Sequence, residues 1–191
     1  MNNIKISSAV LKFINGSNNT RTYLQGMYEY ITDDVKTEGG KLVATHGCST
    51  SHPLQDIFSA KKLHNKTHGK QGEHFVLSLP PRCSEREPLK FLSTVTEIVR
   101  TVYPEFMSVI AVHTDSKALH AHVLINSVNS VTGHKFSQSP LDLNRVKQKT
   151  NGILKKHRNS PHYPPKNRIN INERSQSHER KITHQKQFQI N

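Results

Sequence analysis

Apolar residues along the chain fall into short runs whose spacing switches between a period of two and a period of 3.6. IKISSAVLKFI, residues 4–14, alternates as a strand does, and NGSNN behind it is a turn. Thr20 to Ile31 has helical periodicity, with Leu24, Met27, Tyr28 and Ile31 on one apolar stripe. KLVATHG, 41–47, is a short strand; Pro53 to about His64 is an amphipathic helix with Leu54, Ile57, Phe58 and Leu63 as its buried set. HFVLSLPP is a strand stopped by two prolines. A long helix follows from about Glu85 to Tyr103, carrying Leu89, Leu92, Val95, Ile98, Val99 and Val102. FMSVIAVH and HAHVLINSVN are adjacent strand runs joined by TDSKAL, the layout of a hairpin. Ser139-Pro140 reads as an N-cap with proline at the first helical position, opening a basic helix, LDLNRVKQKTNGILKKH. Strands alternating with helices and ending in a hairpin predict an α/β (α+β) sandwich on a mainly antiparallel sheet.

Charge changes this picture at one end. Residues 1–140 carry a net of +4 and residues 141–191 a net of +9, so most of the total of +13 lies in the last quarter. Apolar residues thin out there as well, which divides the chain into a folded unit over 1–140, a basic helix over 141–160 and a polar tail over 161–191 with the composition of disorder. A concentrated basic segment fits a polyanion: nucleic acid or an anionic surface. Arg145, Lys147, Lys149, Lys155, Lys156 and Arg158 are the candidate phosphate contacts; a solvated helix face is the plainer account of them. Two distant cysteines, Cys48 and Cys83, make neither a disulfide framework nor a cysteine zinc module. With no leader-like start and no apolar run of membrane-spanning length, a soluble cytoplasmic protein is expected.

The chemistry concentrates in AVHTDSKALHAHVLIN, residues 111–126. An H-x-H pair alone carries little weight in a chain with 13 histidines. The strand setting carries more. His120, His122 and Asn126 share one face of their strand, and a hairpin closed by TDSKAL sets His113 opposite His120 and the small Ala111 opposite His122. Three imidazoles converging with open positions describe a catalytic metal site, and Asp115 is placed to hold the far nitrogen of one ring. Satisfied core or surface histidines are the competing account. On the first helix Tyr30 is turned about 200° from Tyr28 and leaves the apolar stripe, so packing does not need it. Tyr23 lies roughly 10 Å farther back along the axis.

Four stretches resemble the relaxase/mobilisation nucleases of plasmids and integrative elements, in the HUH endonuclease superfamily. YEYITDDVKT is similar to the family's nucleophile helix, LVATHGCST to the following strand and turn, HFVLSLPP to the central strand, and VHTDSKALHAHVLINSVNSVTGHKF to the histidine motif. The resemblance spans about 20–140 and implies an antiparallel sheet of about five strands with flanking helices. It implies Tyr30 as nucleophile, His113, His120 and His122 as ligands of a divalent cation, Asp115 as the group orienting a ligand, and Asn126 as a support. Glu73, beside the central strand, is the candidate base. The family is assayed with magnesium or manganese, whereas an all-histidine set also suits zinc or nickel.

The function this implies is nicking of one DNA strand at an origin of transfer by tyrosine transesterification, leaving a 5′-phosphotyrosyl intermediate. Single-stranded DNA is the expected substrate, with accessory and coupling proteins as further partners. A non-catalytic or truncated DNA-binding remnant is the alternative from another class, and a structural zinc domain is a third.

Overall fold

The computed structural model describes residues 9–14, 20–80 and 87–157. Five strands form one antiparallel sheet: β1 (Val10–Ile14), β2 (Val43–His46), β3 (Gly72–Ser78), β4 (Ser108–His113) and β5 (His120–Asn126), in the order β1-β3-β5-β4-β2. Four helices complete it: α1 (Arg21–Ile31), α2 (Pro53–Leu63), α3 (Pro88–Val102) and α4 (Pro140–Lys156). The expected antiparallel α/β architecture is the one observed. The polar tail of 161–191 lies outside the described residues, as do Cys83 and Arg158.

Local chemistry sets the helix starts. Thr20 caps α1 by accepting from the Tyr23 amide at 3.1 Å. Ser139 and Asp142 close a reciprocal capping box on α4, and α2, α3 and α4 all begin with proline, whose missing N–H costs nothing in a first turn. Each such cap contributes about 1 kcal/mol.

The sheet has two differently furnished faces because side chains alternate along each strand. Phe75, Leu77, Ile110, Val112, Ala121, Val123 and Ile125 turn towards α3 and α4 and build the main core with Val95, Ile98, Val99, Val146 and Leu154. The other face is smaller. Val109, Ala111 and Leu124 meet Leu24 and Ile31 of α1 and Ile57 of α2. That second face carries the histidines of β5.

Gly72 lets α1 approach the sheet. A methyl group there would stand 2.7 Å from Cδ1 of Leu24 and 3.2 Å from the Ile125 carbonyl oxygen. Two apolar positions read as buried are not. Leu63 is 76% and Leu89 64% exposed, because the faces of their helices that pack are centred on Ile57, Ala60 and Lys61, and on Phe91, Val95 and Ile98. Lys61 is almost fully buried, donating to the Gln71 carbonyl and the Ser127 hydroxyl.

Candidate active site

The β4–β5 pairing has the register read from the sequence: His113 opposite His120, and Ala111 opposite His122. The three imidazoles each present one ligand nitrogen, and these nitrogens lie within 4.8 Å of one another. His113 and His122 are buried, while His120 is half-exposed at the rim.

Hydrogen bonds decide which nitrogen of each ring is free. Nε2 of His113 donates to the Ile31 carbonyl at 2.8 Å, which leaves Nδ1 with a lone pair and, in this structure, no partner. Nδ1 of His120 donates to the Ala118 carbonyl at 3.0 Å, with the Ser116 hydroxyl oxygen at 3.2 Å, so its Nε2 is the free one. Nδ1 of His122 lies 2.9 Å from Nε2 of His74, and His122 Nε2 is buried without a partner. Two buried nitrogens without partners, His113 Nδ1 and His122 Nε2, could hold a cation together with His120; each unmade hydrogen bond costs about 1–3 kcal/mol. Tetrahedral metal–imidazole bonds of about 2.1 Å set ligand nitrogens about 3.4 Å apart, so rings with nitrogens spread over as much as 4.8 Å would draw together by roughly an ångström around an ion.

Burial favours the neutral form of the two buried rings. Burial, reinforced by the His113, His74 and His120 rings, pushes the His122 imidazole down to about 3. Burial holds His113 below the ordinary imidazole value too, against the opposing effects of the Ile31 carbonyl and Asp115. Burial thus favours neutral His113 and His122, the form that a metal requires.

His74 was not legible as part of this site. It sits on β3 opposite Leu124 in the pairing register, is buried, and stacks on His122 with ring centroids 5.1 Å apart and planes 18° apart. Were His122 to ligate an ion through Nε2, its Nδ1–H would donate to His74 Nε2, and His74 would orient that ring. The signal available was the alternation of HFVLS, which turns His74 away from Phe75 and Leu77.

Tyr30 stands in the last turn of α1, 49% exposed, with its ring 5.9 Å from that of His113 and 5.6 Å from that of His122. Tyr28 is half-buried on the packed stripe, as its position predicted. The Lys36 ammonium lies 3.9 Å from the Tyr30 ring centroid, and Lys36 also acts on His113 and His122 through its charge. A turn anchored by Asp33, which accepts from the Val35 and Lys36 amides, presents it.

Other expected residues are placed elsewhere. Asp115 is exposed in the hairpin loop and influences His113 through charge rather than by holding a ring nitrogen. Asn126 is on the histidine face but lies about 13 Å along β5 from His122, beyond Leu124. Its Oδ1 accepts from the Val128 amide at 3.2 Å, and its Nδ2 is buried without a partner. Glu73 points to the opposite face of the sheet and pairs with Lys70 at 2.7 Å, so it is not placed to serve Tyr30.

The basic helix α4 packs behind the sheet, on the α3 side, away from the histidines. Lys147 is buried; Arg145 pairs with Asp142 at 3.3 Å and Lys156 with Glu97 at 2.9 Å, while Lys149 and Lys155 are exposed. Among the described residues no helix is long and apolar enough to cross a membrane.

Residues 30–158 match the family described as "Relaxase: MobA/VirD2-like, nuclease domain". The chain belongs to this relaxase family. The match begins at Tyr30 and takes in all three convergent histidines. A Staphylococcus aureus "Protein rlx" is 24% identical over 110 residues, covering 58% of this chain and 33% of that protein. A second S. aureus "Protein rlx" is 25% identical over 92 residues, covering 48% of this chain and 28% of that one. The chain therefore spans about a third of the length of these relatives. Among solved structures, one titled "Molecular Basis of Vancomycin Resistance Transfer in Staphylococcus aureus" shares the fold. Its TM-score is 0.55 at 10% identity, over 85% of this chain and 97% of that one.

Proposed function

We propose that this relaxase domain nicks single-stranded DNA through Tyr30 with a divalent cation held by His113, His120 and His122. One observation carries the reading: a half-exposed tyrosine at a helix end stands edge-on to a cluster of inward-facing, partnerless imidazole nitrogens. A cation bound there would supply Lewis-acid withdrawal of charge from a non-bridging phosphate oxygen.

The chain's own residues do the rest. The Tyr30 hydroxyl oxygen attacks phosphorus, the bond from phosphorus to the 3′-oxygen breaks, and the strand is left as a 5′-phosphotyrosyl ester with a free 3′-hydroxyl. The half-exposed phenol releases its proton to water, and the departing 3′-oxygen takes one up. Lys36 places a positive charge beside the ring that becomes esterified. His74 and the Ile31 carbonyl fix the orientation of His122 and His113. Because the ester conserves the bond energy of the diester, the reverse attack by a 3′-hydroxyl rejoins or transfers the strand. Magnesium or manganese fits the family, and zinc or nickel fits the ligand type.

The test is incubation with pooled single-stranded oligonucleotides and manganese, followed by a denaturing gel. A covalent adduct that disappears with EDTA and with Tyr30→Phe, while DNA binding persists, supports the proposal. Normal cleavage by Tyr30→Phe overturns the nucleophile assignment. Salt-sensitive DNA binding without any adduct from origin-derived DNA identifies a non-catalytic remnant.

A further inference from the structure

A cavity of about 800 Å³ lies between α1 and α2, and none of the site residues described above lines it. Its size is that of a small-molecule or nucleotide pocket. The lining is chemically one-sided. Its charged side chains are Arg21, Lys61 and Lys62, and no carboxylate lines it. Phe58 and Leu54 supply an apolar wall, and Gln55 offers an exposed amide beside it.

Two details give the cavity a direction. The Arg21 guanidinium carbon sits 4.1 Å from the centroid of the Phe58 ring, so a flat cation rests on an aromatic face at the pocket. Such a shelf suits a nucleobase, because both a guanidinium plane and an aromatic ring stack on any base. Arg21 also opens α1, the helix whose other end carries Tyr30, and the two residues are about 13 Å apart along the axis. A strand seated at Tyr30 reaches that distance within a few nucleotides.

We infer that the α1–α2 cavity is a nucleotide pocket for the single-stranded DNA flanking the nick. One unstacked base packs on the open face of the Arg21 guanidinium, whose other face rests on Phe58, and its phosphates pair with the edge of Arg21 and with Lys62. This rests on the nuclease reading above, which supplies the strand. It adds a contact surface on the Tyr30 side of the sheet, independent of the basic α4 behind it. The buried Lys61 closes the floor, where its ammonium already donates to Gln71 and Ser127.

The experiment uses the full chain and fluorescein-labelled oligothymidylate, reading anisotropy over a range of salt. Arg21→Gln is expected to weaken binding about tenfold and to reduce the slope of log affinity against log salt by about 0.7, the loss of one phosphate contact on a single strand. Phe58→Leu keeps apolar volume in the core while removing the π-face. It is expected to weaken binding about fivefold to a hundredfold with the slope unchanged. Lys90→Gln, on α3 behind the sheet, serves as the control and leaves both unchanged.

Wild-type affinity and slope in Arg21→Gln and Phe58→Leu, with adduct formation intact, overturn the pocket while leaving the nuclease reading standing. Loss of binding in these variants in a protein that forms no Tyr30 adduct retains the pocket and removes the nuclease. Displacement of the oligonucleotide by polyglutamate at equal charge, with no effect of Phe58→Leu, assigns the cavity to an acidic protein segment and overturns the proposal.

Discussion

Lys36 holds its ammonium 3.9 Å from the centre of the Tyr30 ring, so the chain brings a cation to the aromatic face of its candidate nucleophile across one helix end and one turn. A contact of this kind contributes about 0.5–1 kcal/mol when exposed. In the proposed reaction its larger effect would fall on a phosphate arriving at Tyr30, whose charge Lys36 would meet. Lys36→Met is expected to slow adduct formation about tenfold and to raise the DNA concentration for half-saturation severalfold. Lys36→Arg recovers most of both. Single-turnover gel kinetics over a DNA titration check this, and unaltered kinetics in Lys36→Met remove Lys36 from the reaction.

In the proposed site His74 would act through His122, to which it is hydrogen-bonded. Leucine at position 74 leaves His122 Nδ1–H without an acceptor and frees the ring to turn, whereas glutamine keeps an acceptor at similar reach. His74→Leu is expected to lower manganese affinity about 10- to 100-fold, the usual effect of losing a partner behind a ligand, and His74→Gln to retain most of it. Calorimetric titration with manganese and no DNA gives the answer. Equal affinities in wild type and His74→Leu would reduce the stacked pair to packing.

Acid sensitivity of the metal-free protein follows from the same rings. Burial pushes His74 down to about 4 and His122 down to about 3, whereas unfolded imidazoles titrate near 6.5. Between those values the unfolded chain binds protons that the folded one refuses. Stability is therefore full above about pH 6.5 and falls as pH drops towards 4. Lys61 gives a second window: burial, with Lys135 nearby, brings its ammonium down to about 7 from an ordinary 10.5. There the folded state loses its proton first, so stability rises as pH increases from 7 to 10. Urea midpoints from pH 4 to 10 are expected to climb through both windows, and a flat profile would contradict both assignments.

Gly72→Ala tests the seating of α1, the helix that carries Tyr30. The added methyl group meets Leu24, itself 1% exposed, and the Ile125 carbonyl, so α1 must lift or the β3–β5 pair must spread. The expected cost is about 1–3 kcal/mol by urea unfolding. Adduct formation should fall further than stability alone accounts for, because Tyr30 rides on the displaced helix.

Much of this was legible from local spacing. The hairpin fixed the pairing of His113 with His120, since six intervening residues leave few registers and the alternation of HAHVLIN selects one. The N-cap at Ser139 and the outward turn of Tyr30 were equally local. What escaped depended on contacts between distant segments. His74 joins His122 across 48 residues and a strand pairing that no turn specifies. Lys61 is buried because acceptors reach it from two other loops, and no periodicity marks a lysine as interior. Asn126 was placed on the right face but too far along it, since alternation gives the side of a sheet and not the distance from a site.

The hydrogen bond from His113 to the Ile31 carbonyl ties a candidate cation ligand to the residue directly after Tyr30. Were a cation to occupy the histidine cluster, its binding and the docking of the helix end would be thermodynamically linked, each lowering the ordering entropy of the other. Manganese alone, without DNA, should then slow amide hydrogen exchange in the last turn of α1, where no side chain touches the ion.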